Sequence, residues 1–278
     1  MKIEGVFVKL EYFNPSGSTK DRIAKFILEK AEKTGRLKKG MNVIEATSGN
    51  SGIAFSMVCA AKGYKMHVII PEGLTDERML ALRSYGAKII TVPKKANLLH
   101  EAVELEKKYG KRKDFFAVEQ FDNEWNIEAH EKTLGKEILD EIGKIDAFVA
   151  GIGTGGTLIG VGRALRKKNP KAALVAVEPE ESAVMNGETP GFHKIEGIGD
   201  GFVPDIIKRN VELVDDVISI SSNDAIREAK RIARQYGIQC GISSGANFLA
   251  AKKLKKHFKK VATVFPDKGD RYFSMGFY

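Results

Sequence analysis

The sequence predicts an α/β fold of two domains, each built around a largely parallel sheet with helices on both faces. The first observation is that short apolar runs alternate with helical patterns along the chain, which is typical of parallel sheets. The second is its length, because 278 residues suffice for one large or two modest α/β domains. The third is a polar stretch at 119–126, which separates two runs of alternating elements and marks the expected domain boundary.

Short apolar runs predict seven strands, at residues 6–10, 42–46, 66–70, 88–92, 147–150, 174–177 and 261–265. An apolar stripe at helical spacing runs from Ile23 to Ala31 and predicts the first helix. Residues 53–61 predict a second helix, and Gly63 is placed to end it. The basic run at 252–260 is expected to be the exposed face of a further helix.

The composition narrows the class of protein. Hydrophobic residues make up 43% and charged residues 29%, as in soluble globular domains. No segment approaches the run of about 18 uncharged apolar residues that a membrane span needs. Met1 is not followed by a signal-peptide pattern, so we expect a cytoplasmic protein. Cys59 and Cys240 lie in apolar or glycine-rich contexts, and two buried thiols are expected rather than a disulfide.

The net charge of +9 invites a nucleic-acid hypothesis. The basic residues cluster at 107–113, 166–171 and 252–260, but no recognised nucleic-acid motif accompanies them. We interpret the clusters as solvated surface and expect neither nucleic acid nor membrane as a partner. No metal is expected either, because metal-ligand spacing is absent from the histidines His67, His100, His130, His193 and His257.

A glycine-rich segment, Gly-Ile-Gly-Thr-Gly-Gly-Thr at 151–157, follows a predicted strand and precedes a helical pattern. Glycines let the backbone approach a phosphate, and a helix N-terminus offers N–H donors to it. The spacing also satisfies G-x-G-x-x-G, and Glu178 ends a later strand where a dinucleotide fold places its ribose-binding acid. Taken alone, the segment favours a nicotinamide-dependent dehydrogenase about as much as a phosphate cup, and a tight turn without ligand is a third interpretation.

A second motif, Asn-Pro-Ser-Gly-Ser-Thr-Lys-Asp-Arg at 14–22, precedes the first predicted helix. Ser18 is placed to cap that helix, so Lys20 falls in the first turn, where the helix dipole disfavours a positive charge. An amine in that position is easier to deprotonate, as a Schiff-base lysine requires. Taken alone, the motif favours a capped helix with a surface lysine.

Two further motifs each join a loop to a helix. Residues 45–52 form a strand end, a loop rich in hydroxyl groups and glycine, and a helix start. Such a loop presents N–H and O–H donors to a carboxylate, and it holds more of them than one helix cap needs. The segment Gly-Ile-Ser-Ser-Gly-Ala at 241–246 is weak evidence by itself.

Taken together and in this order, the four motifs resemble those of the cysteine synthase and cystathionine β-synthase family, which are fold type II pyridoxal-phosphate (PLP) enzymes. Further matching stretches include 8–11, 193–195, 197–204 and 265–272, and the resemblance runs from about Val6 to the C-terminus. It implies a tryptophan synthase β-like fold and a homodimer. With the boundary above, we expect a smaller domain at 13–124 with a mobile segment at about 66–109, and a larger phosphate-binding domain formed by 1–12 and 125–278.

The resemblance also implies roles at matching positions. Lys20 would carry PLP as a Schiff base and move the α-proton of the substrate. Asn50 would hydrogen-bond the phenolic oxygen of PLP, and Ser243 would face its ring nitrogen. The PLP phosphate would be bound by Gly153, Thr154, Gly155, Gly156 and Thr157. The substrate would be bound by Thr47, Ser48, Gly49, Ser51, Gln120 and Gly197.

A serine at the ring nitrogen makes PLP a milder electron sink, which favours loss of a β-substituent over transamination. The implied reaction is β-replacement on O-acetylserine, O-phosphoserine, serine or cysteine through an α-aminoacrylate, with L-cysteine formed from sulfide. Cystathionine synthesis, and a lyase or hydroxylyase that releases hydrogen sulfide from cysteine, stay open as alternatives. A non-catalytic binding relative and the dehydrogenase are distant ones, since Lys20 is intact.

Three departures from the family pattern bear on the site. The Gly-Asn-Thr-Pro-Leu-like segment usual ahead of the lysine is not found ahead of Lys20, which leaves the dimer contacts open. Ala46 replaces a common proline, with little expected effect. Asp200 stands where many cysteine synthases carry a small apolar residue. We expect Asp200 to be an extra acid/base or to select the leaving group, and a solvent-facing loop aspartate is the alternative.

Overall fold

The computed structural model describes residues 1–93 and 99–277. The strands are β1 (Lys2–Ile3), β2 (Val6–Leu10), β3 (Asn42–Ala46), β4 (Lys65–Pro71), β5 (Lys88–Val92), β6 (Phe115–Ala117), β7 (Ala147–Gly151), β8 (Ala173–Pro179), β9 (Asp216–Ile220) and β10 (Val261–Phe265). The helices are α1 (Lys20–Lys33), α2 (Asn50–Lys62), α3 (Asp76–Ser84), α4 (His100–Gly110), α5 (Glu124–His130), α6 (Lys136–Ile142), α7 (Gly156–Lys168), α8 (Asp205–Lys208), α9 (Ser222–Tyr236) and α10 (Ile242–Leu254).

These strands form two sheets. One has six strands in the order β1-β2-β10-β7-β8-β9, and the other has four in the order β5-β4-β3-β6. Each neighbouring pair in the described chain is parallel apart from β1 and β2. The predicted α/β class with largely parallel sheets is therefore confirmed.

The two sheets draw on different parts of the chain. The strands of the four-stranded sheet lie between Asn42 and Ala117, and those of the six-stranded sheet lie before Glu11 or after Asp146. The expected division at 13–124 agrees with this arrangement but stays a prediction, as does the mobile segment at 66–109. That segment includes residues 94–98, which lie outside the described residues.

Buried side chains cover both faces of each sheet. Along β7, Ala147 and Val149 point into one apolar cluster, and Phe148 and Ala150 point into another. Strands buried on both faces are near-continuous apolar runs, which is why they were predictable from sequence. Cys59 and Cys240 are both buried thiols, as expected. Within residues 1–93 and 99–277, no helix is both long and apolar enough to cross a membrane.

The seven predicted strands are all present, each with bounds within two residues of the prediction. Gly63 ends α2 with a left-handed φ of +77°, and its N–H bonds the carbonyls of Ala60 and Cys59. The helix predicted over 252–260 is wrong beyond Leu254, because the chain must turn there to enter β10 at Val261.

Candidate active site

The candidate active site is a cavity at the carboxyl ends of strands from both sheets, where parallel sheets usually bind ligands. The chain reaches the cavity in the loops after β3, β7 and β10. The predicted residues that line it are Lys20, Thr47, Ser48, Asn50, Ser51, Gln120, Gly153, Thr154, Gly155, Thr157, Gly197, Asp200 and Ser243. Gly49 caps α2 and Gly156 begins α7, next to the residues of these two loops that line the cavity. Motifs far apart in sequence thus converge on one site.

Lys20 is the first residue of α1, as predicted. The residue that caps this helix is Thr19 and not Ser18, although the Ser18 hydroxyl accepts a hydrogen bond from the Lys20 N–H at 3.3 Å. Burial lowers the pKa of the Lys20 amine, while the carboxylates of Asp200 and Asp267 oppose that shift. A lysine with a lowered pKa can serve as a nucleophile and a base near neutral pH.

The glycine-rich loop leaves no space for side chains. A Cβ on Gly153 would lie 2.5 Å from the Gly197 carbonyl oxygen, and one on Gly156 would lie 1.9 Å from Asn126 Oδ1. Gly155 caps α7 with a φ of +84°, which favours glycine. The loop therefore exposes backbone N–H groups at the N-terminus of a 13-residue helix, a geometry that suits a phosphate.

Two side chains of α5 support this loop, and neither was predicted to do so from the sequence. Asn126 donates from Nδ2 to Thr154 Oγ1 at 3.0 Å and to the Gln120 carbonyl oxygen at 2.9 Å. His130 Nε2 lies 3.3 Å from Thr157 Oγ1. Burial, with the nearby charge of Lys20, lowers the His130 pKa well below its usual value, so the imidazole is neutral. The spacing of four residues on one helix was the signal that could have found this pair.

The loop after β3 is joined to Gln120. Ser51 Oγ donates to Gln120 Oε1 at 2.6 Å, and Gln120 Nε2 donates to the Ala46 carbonyl oxygen at 3.0 Å. Thr47 Oγ1 accepts from the Gly49 N–H at 2.9 Å, where Gly49 has a φ of +147°. The predicted carboxylate-binding residues are thus assembled, while their role as ligands stays a prediction.

Asp200 lies inside the site. Its side chain is only 7% exposed, so the solvent-facing alternative does not describe it. Burial raises the Asp200 pKa to about 6, and the positive charge of Lys20 opposes that shift. The loop before it is fixed by a contact of 2.8 Å between His193 Nε2 and the Gly199 carbonyl oxygen. A buried carboxyl with a pKa near neutrality can donate or accept a proton at physiological pH.

These residues fit PLP. Lys20 and the glycine loop line the same cavity, the glycines of that loop leave no room for a Cβ, and Asn50 and Ser243 add polar groups to the lining. In the described ranges, no cluster of three His, Cys, Asp or Glu side chains could hold a metal ion. A doubly wound pair of sheets with such a site defines a PLP-dependent enzyme of fold type II.

The sequence comparisons agree. A family model described as "Pyridoxal-phosphate dependent enzyme" matches residues 1–267. The chain is 45% identical over 281 residues to a cysteine synthase of Staphylococcus aureus, a match that covers 98% of this chain and 89% of the relative. The chain therefore belongs to the cysteine synthase branch of the PLP-dependent enzymes, and PLP is its cofactor. The dehydrogenase alternative for the glycine-rich loop is wrong.

Solved structures show the same likeness. Cysteine synthase of Entamoeba histolytica superimposes with a TM-score of 0.89 at 40% identity, covering 98% of this chain and 81% of its own. A hydrogen sulfide-producing enzyme of Fusobacterium nucleatum superimposes with a TM-score of 0.92 at 39% identity, covering 98% and 83%. The predicted family and the fold type II architecture are confirmed.

Proposed function

We propose that this enzyme forms L-cysteine by replacing the acetoxy group of O-acetylserine with sulfide. The observation that carries the proposal is the 45% identity to a cysteine synthase over 98% of the chain. The cavity supports it, because a base, a phosphate cradle and a hydroxyl-rich loop line the same space.

Each group has a distinct task in this reaction. PLP, when bound, supplies the electron sink at the α-carbon of the substrate. The N–H groups at 153–157 would hold the phosphate of PLP, and Ser243 would face its ring nitrogen. Thr47, Ser48 and Ser51, with Gln120, orient the carboxylate of the amino acid. Lys20 takes the α-proton and returns it after the carbon–sulfur bond has formed, which its lowered pKa permits.

A second candidate function is the release of hydrogen sulfide from cysteine. Two observations favour it: Asp200 lies buried beside Lys20 with a pKa of about 6, and the chain resembles a hydrogen sulfide-producing enzyme. A protonated Asp200 can donate its proton to a thiolate or hydroxide that leaves the β-carbon. An ionised Asp200 would repel a phosphate, so O-phosphoserine should be a poor donor.

Steady-state assays separate the two functions. We expect the highest kcat/KM for O-acetylserine with sulfide. Release of hydrogen sulfide from cysteine as the faster reaction would instead support the second candidate. Asp200→Ala should depress turnover of serine and cysteine more than that of O-acetylserine, whose leaving group needs little help. Equal losses on all three substrates would show that Asp200 selects no leaving group, and Asp205→Ala serves as an exposed control.

The homodimer and the cytoplasmic location belong to the same proposal. A surface groove between α1 and α2, lined in part by Phe26, Met57 and Val58, supports a second copy of the chain as a partner. Sedimentation of the purified protein would test the dimer, and a monomer at micromolar concentration would contradict it.

A further inference from the structure

The amide of Asn50 is held from behind by the C-terminal segment of the chain. Asn50 Nδ2 donates to Asp267 Oδ2 at 2.5 Å, and Arg271 Nη1 donates to Asn50 Oδ1. Asp267 and Arg271 are 1% and 8% exposed. Asn50 lines the cavity, whereas the two charged side chains lie behind it.

Asp267 and Arg271 allow the Asn50 amide only one orientation. A carboxylate only accepts hydrogen bonds and a guanidinium only donates them. The nitrogen of the Asn50 amide must therefore face Asp267, and its oxygen must face Arg271. The nitrogen carries two hydrogens, and one of them remains available to the cavity. A neutral pair of partners would permit the flipped amide, whose oxygen would repel an anionic ligand atom.

Asp267 and Arg271 are themselves fixed. Tyr272 Oη donates to Asp267 Oδ2 at 2.5 Å, and a Cβ on Gly241 would lie 1.9 Å from Asp267 Oδ1, so the carboxylate packs directly on that glycine. Arg271 also donates from Nη2 to the Ser16 carbonyl oxygen, in the loop that leads to Lys20. Asp267 and Arg271 therefore orient Asn50 as parts of a buried, charge-assisted hydrogen-bond network, and they are not a surface ion pair.

We propose that Asp267 and Arg271 are positioning residues that set the amide of Asn50 with one N–H aimed at the phenolic oxygen of PLP. The inference rests on the proposed function and on the hydrogen bond to that oxygen that the family resemblance implies for Asn50. Asp267 and Arg271 do not touch the cofactor. Their hydrogen bonds act on it through the amide of Asn50, and the charge of Asp267 also acts on Lys20 directly.

The test is a double-mutant cycle read out by PLP binding. PLP would be titrated into the apo forms of the wild type, Asp267→Asn, Asn50→Ala and the double variant. The readouts are the dissociation constant and the pH dependence of the visible absorption band. Asp267→Asn should weaken PLP binding roughly tenfold, the loss of one charge-assisted hydrogen bond, and should shift the midpoint of the pH titration. In the Asn50→Ala background, the same substitution should change the dissociation constant by no more than about twofold, while the pH shift that the charge of Asp267 exerts through Lys20 should remain.

Arg271→Gln tests the hydrogen bond to the amide oxygen of Asn50 in the same way. It provides a second variant if Asp267→Asn does not fold. Asp270→Asn, in the same segment with a side chain 43% exposed, is the matched control and should bind PLP as the wild type does. Equal effects of Asp267→Asn on the dissociation constant with and without the Asn50 amide would overturn the inference, and so would normal PLP binding by Asn50→Ala. A wild-type protein that binds no PLP would overturn the proposed function, and the inference with it.

Discussion

Replacement of Asp200 by asparagine should stabilise the apo protein at neutral and alkaline pH. Burial raises the pKa of this carboxyl from 3.8 to about 6 in the folded chain. Between these two values the folded state holds a proton that the unfolded state has released, so stability falls as the pH rises through the window. Above pH 6, a difference of about two pKa units lowers the free energy of unfolding of the wild type by ~3 kcal/mol. Asparagine keeps the shape of the side chain and carries no charge to desolvate.

Urea unfolding of the apo wild type and of Asp200→Asn between pH 4 and pH 8 measures the difference in their free energies of unfolding. The variant should be more stable by up to ~3 kcal/mol at pH 8, and the difference should fall below ~1 kcal/mol at pH 4, where the aspartate is neutral in the folded state and partly protonated in the unfolded state. Asp205→Asn is the control, because Lys208 lowers the pKa of the half-exposed Asp205 and the change should be small and opposite in sign. A stability difference that does not vary with pH would refute the reasoning.

Three further predictions concern the site. Lys20→Ala should abolish the visible absorption of the holoenzyme and nearly all turnover, and full colour with another lysine attached would contradict the assignment. Gly156→Ala should weaken PLP binding at least tenfold, since its Cβ would meet Asn126 Oδ1 at 1.9 Å and displace the support of Thr154; unchanged affinity by titration would place the phosphate elsewhere. Hydrogen exchange in the described parts of 66–109 should slow when a substrate analogue binds, and protection confined to the loop at 47–51 would argue against a moving segment.

The sequence predicted those parts of the fold whose signal is local. β3, β4, β7 and β10 are buried on both faces over most of their length, so each is rich in apolar residues, with Glu45, His67 and Thr263 among the exceptions. Three of the described strands were missed. β1 has two residues and β9 is a half-exposed edge strand, so neither gives an apolar run. β6 has three residues and lies in an apolar run at 115–118, so it could have been predicted.

The site also divides into groups that were predictable from local sequence and groups that were not. Groups that belong to a loop-and-helix motif, such as Lys20 and the glycine loop, were predictable because the motif itself carries the chemistry. The supporting side chains were not, since Asp267 and Arg271 meet Asn50 across more than two hundred residues of chain. In sequence both lie in the family-like stretch at 265–272, which gives no indication of the side chain that they contact. Only the packing of the C-terminal segment behind the cavity shows that they contact the amide of Asn50.

The pairing of β2 with β10 has a consequence for the order in which the molecule can be made. Phe7 lies opposite Ala262, so β2 leaves the ribosome long before the parallel strand with which it pairs. The four-stranded sheet, complete by Ala117, can form during synthesis, whereas β2 must remain without its parallel neighbour until β10 has been made. Until then β2 is an apolar strand with an open edge. Nascent chains arrested before β10 should therefore bind chaperones and should not bind PLP, whatever the duration of the arrest.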